Sequence, residues 1–217
     1  MTHDYAQARE LMVEQQVRPW DVLDPRVLGV LSSMPRELFV PRAYSGVAYA
    51  DVALPLGYGE SMLKPVIAGR ALQALLPTDE EDVLEIGTGS GYVTACLAQL
   101  ARDVVSVEQH PDFTDAARPR LVQAGLANVR LESADAFTWN TERRFDAICV
   151  TGAVSAIPQR FVTWLKPGGR LFVVRGRAPA MEAVLVRNEG GEPRIESLFE
   201  TVIPYLAGAA PVPVFQL

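Results

Sequence analysis

From Val83 onward, short apolar runs alternate with stretches whose apolar residues recur every three or four positions. The runs predict strands at 83–86, 104–107, 129–132, 146–150 and 170–174, and the amphipathic stretches predict helices at 92–101, 111–124 and 158–165. Alternation with short connections is the pattern of a mainly parallel sheet covered by helices on both faces. Pro119 falls inside the second of these helices, where it removes a hydrogen bond and crowds the preceding turn, so a kink or break is expected near Arg118. Farther on, Ala183–Val186 and Thr201–Tyr205, separated by the polar stretch Asn188–Arg194, predict an antiparallel hairpin at the sheet edge.

Upstream of Val83 the pattern changes. Residues Tyr5 to Val17 are helical in pattern, and Arg18-Pro19 ends that helix. A second helix starts with Asp24 as its cap and Pro25 in the first turn, and offers Val27, Leu28, Val30, Leu31 and Met34 to the main body. Prolines and glycines between Pro35 and Gly57 predict an irregular ordered segment, and a further helix runs from about Val66 to Leu75. The chain thus divides into a helical cover with an active-site loop (1–78) and a sheet domain (79–217), packed as one compact unit. The order of elements lets the loop at 57–65 reach over the ligand corner described next.

That corner is Val83-Leu84-Glu85-Ile86-Gly87-Thr88-Gly89-Ser90-Gly91-Tyr92. An apolar run closes on an acid, three glycines follow at alternate positions, and a helix begins. Glu85 is expected to contact the ligand together with the turn residues, with capping of the neighbouring helix as its alternative role. Glycine lets the backbone take positive φ and approach a ligand, and the helix start aims free N–H groups at it. A dinucleotide turn wants its third glycine three residues after the second, where this chain has Tyr92. Glycines at 87, 89 and 91 have instead the spacing of S-adenosylmethionine-dependent methyltransferases; misplacement counts against a nicotinamide-dependent oxidoreductase. Glu108, closing the next strand, is placed to take two ribose hydroxyls, with Gln109 and His110 flanking the adenine. Asp135, after the third strand, is placed near the adenine amino group with Ala136 beside it, and Thr151 borders the methyl-transfer region. Thr88 and Ser90 complete the turn. A lone glycine turn is also a plain tight connection in many α/β proteins; the two downstream acids are what favour a ligand site here.

Composition narrows the setting. At 217 residues and 49% apolar, one α/β domain with an N-terminal appendage has ample core. No apolar run is long enough to span a bilayer and the N-terminus lacks a basic-then-apolar leader, so a cytoplasmic protein without a membrane partner is expected. A net charge of −6 argues against a duplex nucleic-acid partner, which needs a basic face. Cys96 and Cys149 sit in apolar patterns and read as buried thiols. With no CxxC and no histidine cluster (His3 stands apart near the terminus), no metal site is expected. The sequence carries no signal for oligomeric state.

Pro35-Arg36-Glu37-Leu38-Phe39-Val40-Pro41, Tyr49-Ala50-Asp51, Leu54-Pro55-Leu56-Gly57, the glycine turn, Phe145-Asp146-Ala147-Ile148 and Lys166-Pro167-Gly168-Gly169 together resemble the protein-L-isoaspartate O-methyltransferase family. The likeness runs through most of the chain in the family's order. It implies a seven-stranded, Rossmann-like class I methyltransferase sheet with a helical N-terminal cover. It also implies transfer of the sulfonium methyl of S-adenosyl-L-methionine to the free carboxylate of an isoaspartyl protein or peptide, leaving S-adenosyl-L-homocysteine. The family usually carries Gly-Gln-Thr-Ile-Ser, one residue, then Pro; this chain has Gly59-Glu60-Ser61-Met62-Leu63-Lys64-Pro65. Leu63 therefore stands at the family's active-site serine and Ser61 at its threonine. The family's Gly-Asp-Gly after the third strand is Ala134-Asp135-Ala136. Three expectations follow: an acceptor less polar than an isoaspartyl carboxylate, including a small molecule; the family's reaction with Ser61 or Lys64 orienting the acceptor; or a non-catalytic protein that binds the cofactor or its product.

Overall fold

The structure, a computed structural model, describes residues 4–211, so His3 lies outside it. The chain opens with α1 (Tyr5–Leu11), capped by the Asp4 carboxylate, which accepts from the Gln7 N–H at 3.1 Å. The single helix expected through Val17 does not keep α geometry. It widens into a π-helical segment, Met12–Val17, then tightens into a 3-10 turn, Arg18–Trp20. Met12 and Val17 are both fully buried, and the wider turn brings two residues five apart onto one side. α2 (Pro25–Ser33) starts as read, with the Asp24 carboxylate accepting from the Arg26 N–H at 2.9 Å and the Val27 N–H at 3.3 Å. The proline-rich stretch that follows holds two short helical turns, α3 (Arg36–Phe39) and a 3-10 segment, Arg42–Val47.

A small antiparallel hairpin comes next, β1 (Leu54–Gly57) with β2 (Glu60–Met62), then α4 (Pro65–Leu75). The main body alternates β3 (Asp82–Ile86), α5 (Tyr92–Leu100), β4 (Asp103–Glu108), α6 (Pro111–Gln123), β5 (Val129–Ser133), β6 (Phe145–Val154), α7 (Gln159–Thr163) and β7 (Leu165–Arg177). β8 (Ala180–Arg187) and β9 (Arg194–Glu200) finish it. Seven strands form one sheet in the order β5-β4-β3-β6-β7-β8-β9. The first five run parallel and β8 is antiparallel to both its neighbours.

Alternate residues of each central strand enter opposite cores. Val83, Val104, Cys149 and Phe172 face the layer built from the N-terminal cover, α4, α5 and α6. Leu84, Val105, Ile148 and Leu171 face α7 and the Phe137–Trp139 turn. Burial on both faces explains why these strands read as continuous apolar runs. Both cysteines are free and buried. No helix among the described residues is long and apolar enough to cross a membrane.

Two expectations need correction. Pro119 does not break α6, which continues to Gln123; its buried residues Phe113, Ala117 and Leu121 lie on both sides of the proline and hold it by packing. The strand that pairs with β8 is Arg194–Glu200, not Thr201–Tyr205. Its first four residues are exposed, so their polar character hid a strand. The segment after it instead crosses to the end of β6, where Tyr205 bridges Ala153.

Candidate active site

The C-terminal ends of β3, β4 and β6 converge on one crevice, the place where an open parallel sheet binds ligands. Gly87, Gly89 and Gly91 all have positive φ, at 95°, 51° and 87°. Their reasons differ. A Cβ on Gly87 would lie 2.3 Å from the Thr151 Oγ1, and that hydroxyl donates to the Gly87 carbonyl at 2.5 Å, closing the turn against β6. A Cβ on Gly91 would press on the Ala117 Cβ at 3.0 Å, so this glycine serves the packing of α6 and does not line the crevice.

Two joined lobes make up the crevice, with about 580 and 310 Å³ of open space. Leu56, Ser61, Gly87, Gly89 and Thr151 border both and so form its waist. Glu60, Glu108, Gln109, His110, Asp135 and Ala136 line the larger lobe, between apolar walls of Ile86, Val107 and Phe137. Leu63, Thr88, Ser90 and Tyr92 line the smaller. Glu108 is held from both sides: one carboxylate oxygen accepts from the Gly89 N–H at 2.8 Å, the other from the His110 N–H at 2.9 Å. Asp135 accepts from the Phe137 N–H at 2.8 Å. The Ser61 hydroxyl has no hydrogen-bond partner among the described residues.

Glu85 is not where the sequence reading placed it. It is fully buried and borders neither lobe. One carboxyl oxygen accepts from the Ser106 hydroxyl at 2.5 Å and from the Thr94 hydroxyl, while the other has no partner. Burial pushes its pKa up to about 8, over the opposing pull of those two donors. Glu85 is an internal brace joining β3, β4 and α5. Lys64 is exposed at the start of α4 and also lies outside the lining.

Three features escaped the sequence. The first is Tyr58, at the hairpin tip with φ 55°. Its ring stacks on His110 at 4.3 Å between centroids, and its hydroxyl donates to the Asp112 carboxylate at 2.6 Å. The expected reach of loop 57–65 over the ligand corner is therefore made through an aromatic clasp. The second is Arg36, fully buried. It donates to the carbonyls of Ala48 and Leu63, each at 2.8 Å, and lies 4.7 Å over the Tyr92 ring. One guanidinium thus ties the cover to the active-site loop and to the helix after the glycine turn. The third is Leu206, which reaches the crevice from the C-terminal segment; no local pattern could assign a residue that far along the chain to this corner.

A seven-stranded, mainly parallel sheet, a glycine turn after β3 and a carboxylate closing β4 define an S-adenosylmethionine-dependent methyltransferase of the Rossmann-like class. Known proteins narrow the class. The family model of protein-L-isoaspartate(D-aspartate) O-methyltransferase matches residues 7–203. The chain is 42% identical over 192 residues to the protein-L-isoaspartate O-methyltransferase of Methanoculleus marisnigri, covering 88% of this chain and 86% of that one. It is 38% identical over 208 residues to the enzyme of Cellvibrio japonicus, covering 93% and 92%. In fold it is similar to a Plasmodium falciparum protein-L-isoaspartate O-methyltransferase solved with S-adenosyl-L-homocysteine. That match has a TM-score of 0.80 at 18% identity and covers 94% of this chain and 98% of the other. The chain belongs to the protein-L-isoaspartate(D-aspartate) O-methyltransferase family.

Proposed function

We propose that this methyltransferase binds S-adenosylmethionine along the two-lobed crevice and esterifies the free carboxylate of isoaspartyl residues in proteins or peptides, with Ser61 as the orienting hydroxyl. The observation that carries the proposal is the Ser61 side chain, without a partner, at the waist where the lobes meet. The residues present suit the cofactor. Apolar walls in the larger lobe match an adenine, and Glu108, preset by two backbone N–H groups, keeps lone pairs for ribose hydroxyls. The smaller lobe, with Thr88 and Ser90 at the helix start, suits an amino-acid tail.

The cofactor supplies an electrophilic methyl on a positive sulfur. What the chain supplies is alignment. An acceptor carboxylate, with a pKa of about 4, is already ionised at neutral pH, so no general base is required. The Ser61 hydroxyl donates to that carboxylate and holds one oxygen in line with the methyl, while Thr151 and the glycine turn fix the opposite wall. Lys64, exposed and off the lining, has no part in this. Support for an isoaspartyl acceptor comes from the family and its relatives. The same reading sets the protein in the cytoplasm, where such a cofactor is available.

The test is transfer of radiolabelled methyl to an isoaspartyl peptide, read as base-labile methanol. Ser61→Ala is expected to lower kcat about a hundredfold, the scale of losing one positioned donor, with cofactor affinity little changed. A second reading is favoured by Leu63, which puts an apolar side chain on the crevice where the family carries its serine: an acceptor less polar than a carboxylate. Wild-type protein that binds the cofactor yet leaves the peptide unmethylated would select it. Leu63→Ser separates the two further. If Ser61 carries the role, a second serine adds little to turnover, and the loss of a buried leucine lowers stability by about 3 kcal/mol.

A further inference from the structure

Glu108 and Asp135 both have their carboxylates engaged by backbone donors. Glu60 does not. It lines the larger lobe from β2, half-buried, and neither accepts a hydrogen bond nor forms an ion pair among the described residues. Burial raises its pKa, and the charge of Glu108 adds to that rise while His110 opposes it. A carboxylate in this position has an unmet demand for positive charge. Its place is specific: it shares the larger lobe with Glu108, whose charge it feels, and its chain neighbour Ser61 borders both lobes at the waist.

S-adenosylmethionine differs from its spent product at the sulfur, which is a cation before transfer and a neutral thioether after it. We propose that Glu60 is the residue by which the crevice distinguishes the two, its carboxylate favouring the sulfonium form over S-adenosylhomocysteine. The inference rests on the cofactor assignment above and adds a role to it. A ribose or adenine contact by Glu60 would strengthen both ligands alike, because those parts are identical. A charge contact strengthens one. Such a contact shifts the ratio of affinities toward the charged substrate and away from its neutral product.

The experiment is calorimetric titration of the full chain with S-adenosylmethionine, S-adenosylhomocysteine and sinefungin, whose amine carries positive charge near the sulfur position. Glu60→Gln keeps the shape and removes the charge. The expected result is an affinity about tenfold lower for the two cationic ligands, with S-adenosylhomocysteine within twofold of wild type. Glu60→Asp retains the charge and is expected to retain most of the discrimination. An unchanged ratio of cationic to neutral affinity in Glu60→Gln overturns the inference, whether both ligands weaken or neither does. Equal loss of the ratio in Glu60→Asp and Glu60→Gln overturns it too, because shape alone would then be responsible. Wild-type protein that binds none of the three ligands would instead refute the cofactor assignment on which it rests.

Discussion

Glu85 and Glu108 each sit two residues or fewer from a strand end and read alike in sequence, yet the structure gives them opposite lives. Glu108 meets two backbone N–H groups and opens to the crevice. Glu85 is sealed behind the turn, meets two hydroxyls and leaves one oxygen bare. The consequence for stability has a definite sign. A carboxyl whose folded pKa is about 8, against an ordinary value near 4.5, binds a proton in the folded state that the unfolded chain has released. Its contribution is full below about pH 4.5 and is lost as pH rises toward 8. Glu85→Gln removes that titration, so urea-unfolding free energies measured from pH 5 to 8 should fall less steeply in the variant than in wild type. Equal slopes would show that Glu85 keeps an ordinary pKa.

The β1–β2 hairpin is the element on which access depends. Two strands of four and three residues have little stability alone. Tyr58 secures its tip against the start of α6 by stacking on His110, edge contact with Phe113 and a hydrogen bond to Asp112. His110 also donates its backbone N–H to Glu108, so the clasp and the ribose acceptor share a residue. Tyr58→Ala should free the tip and raise the dissociation rate of bound S-adenosylhomocysteine about three- to tenfold, measured by stopped-flow displacement. The melting temperature should move little, because Tyr58 is largely exposed and outside the core. An unchanged rate would mean that the hairpin does not gate the crevice. Arg36 anchors the other end of this element through the Leu63 carbonyl, which couples the loop to the N-terminal cover.

Across the whole molecule the two ends of the sheet do different work. The C-terminal ends carry the crevice. At the N-terminal ends of β3, β4 and β6, Asp82 meets Arg102 at 2.7 Å, Arg143 at 3.2 Å and Lys166 at 3.4 Å. Arg143 continues to Asp103 and Lys166 to Asp146, both at 2.7 Å. Asp82 is the buried centre of this network; its loss leaves Arg102 without a carboxylate and takes one of two partners from Arg143 and Lys166. Asp82→Asn should lower unfolding free energy by about 2 kcal/mol in chemical denaturation. Cofactor affinity should not change, because the network lies at the far end of β3. A parallel loss of affinity would show that the two ends are coupled.

The sequence by itself determined the central strands of the parallel sheet, because strands buried on both faces are written as unbroken apolar runs. It also determined the cap of α2, where Asp24 bonds to residues near it in the chain, and the glycine turn, where the backbone itself takes positive φ at 87, 89 and 91. Its reading of β9 failed because the strand is exposed and polar. Its reading of Pro119 failed because packing of Phe113 and Leu121 outweighs the local cost of a proline. Only the tertiary structure decided which acids face the crevice, that Glu60 lines its larger lobe while Ser61 stands at its waist, and that Tyr58, Arg36 and Leu206 belong to the same corner. Those residues are joined by contacts between distant parts of the chain, and spacing along a sequence carries no record of them.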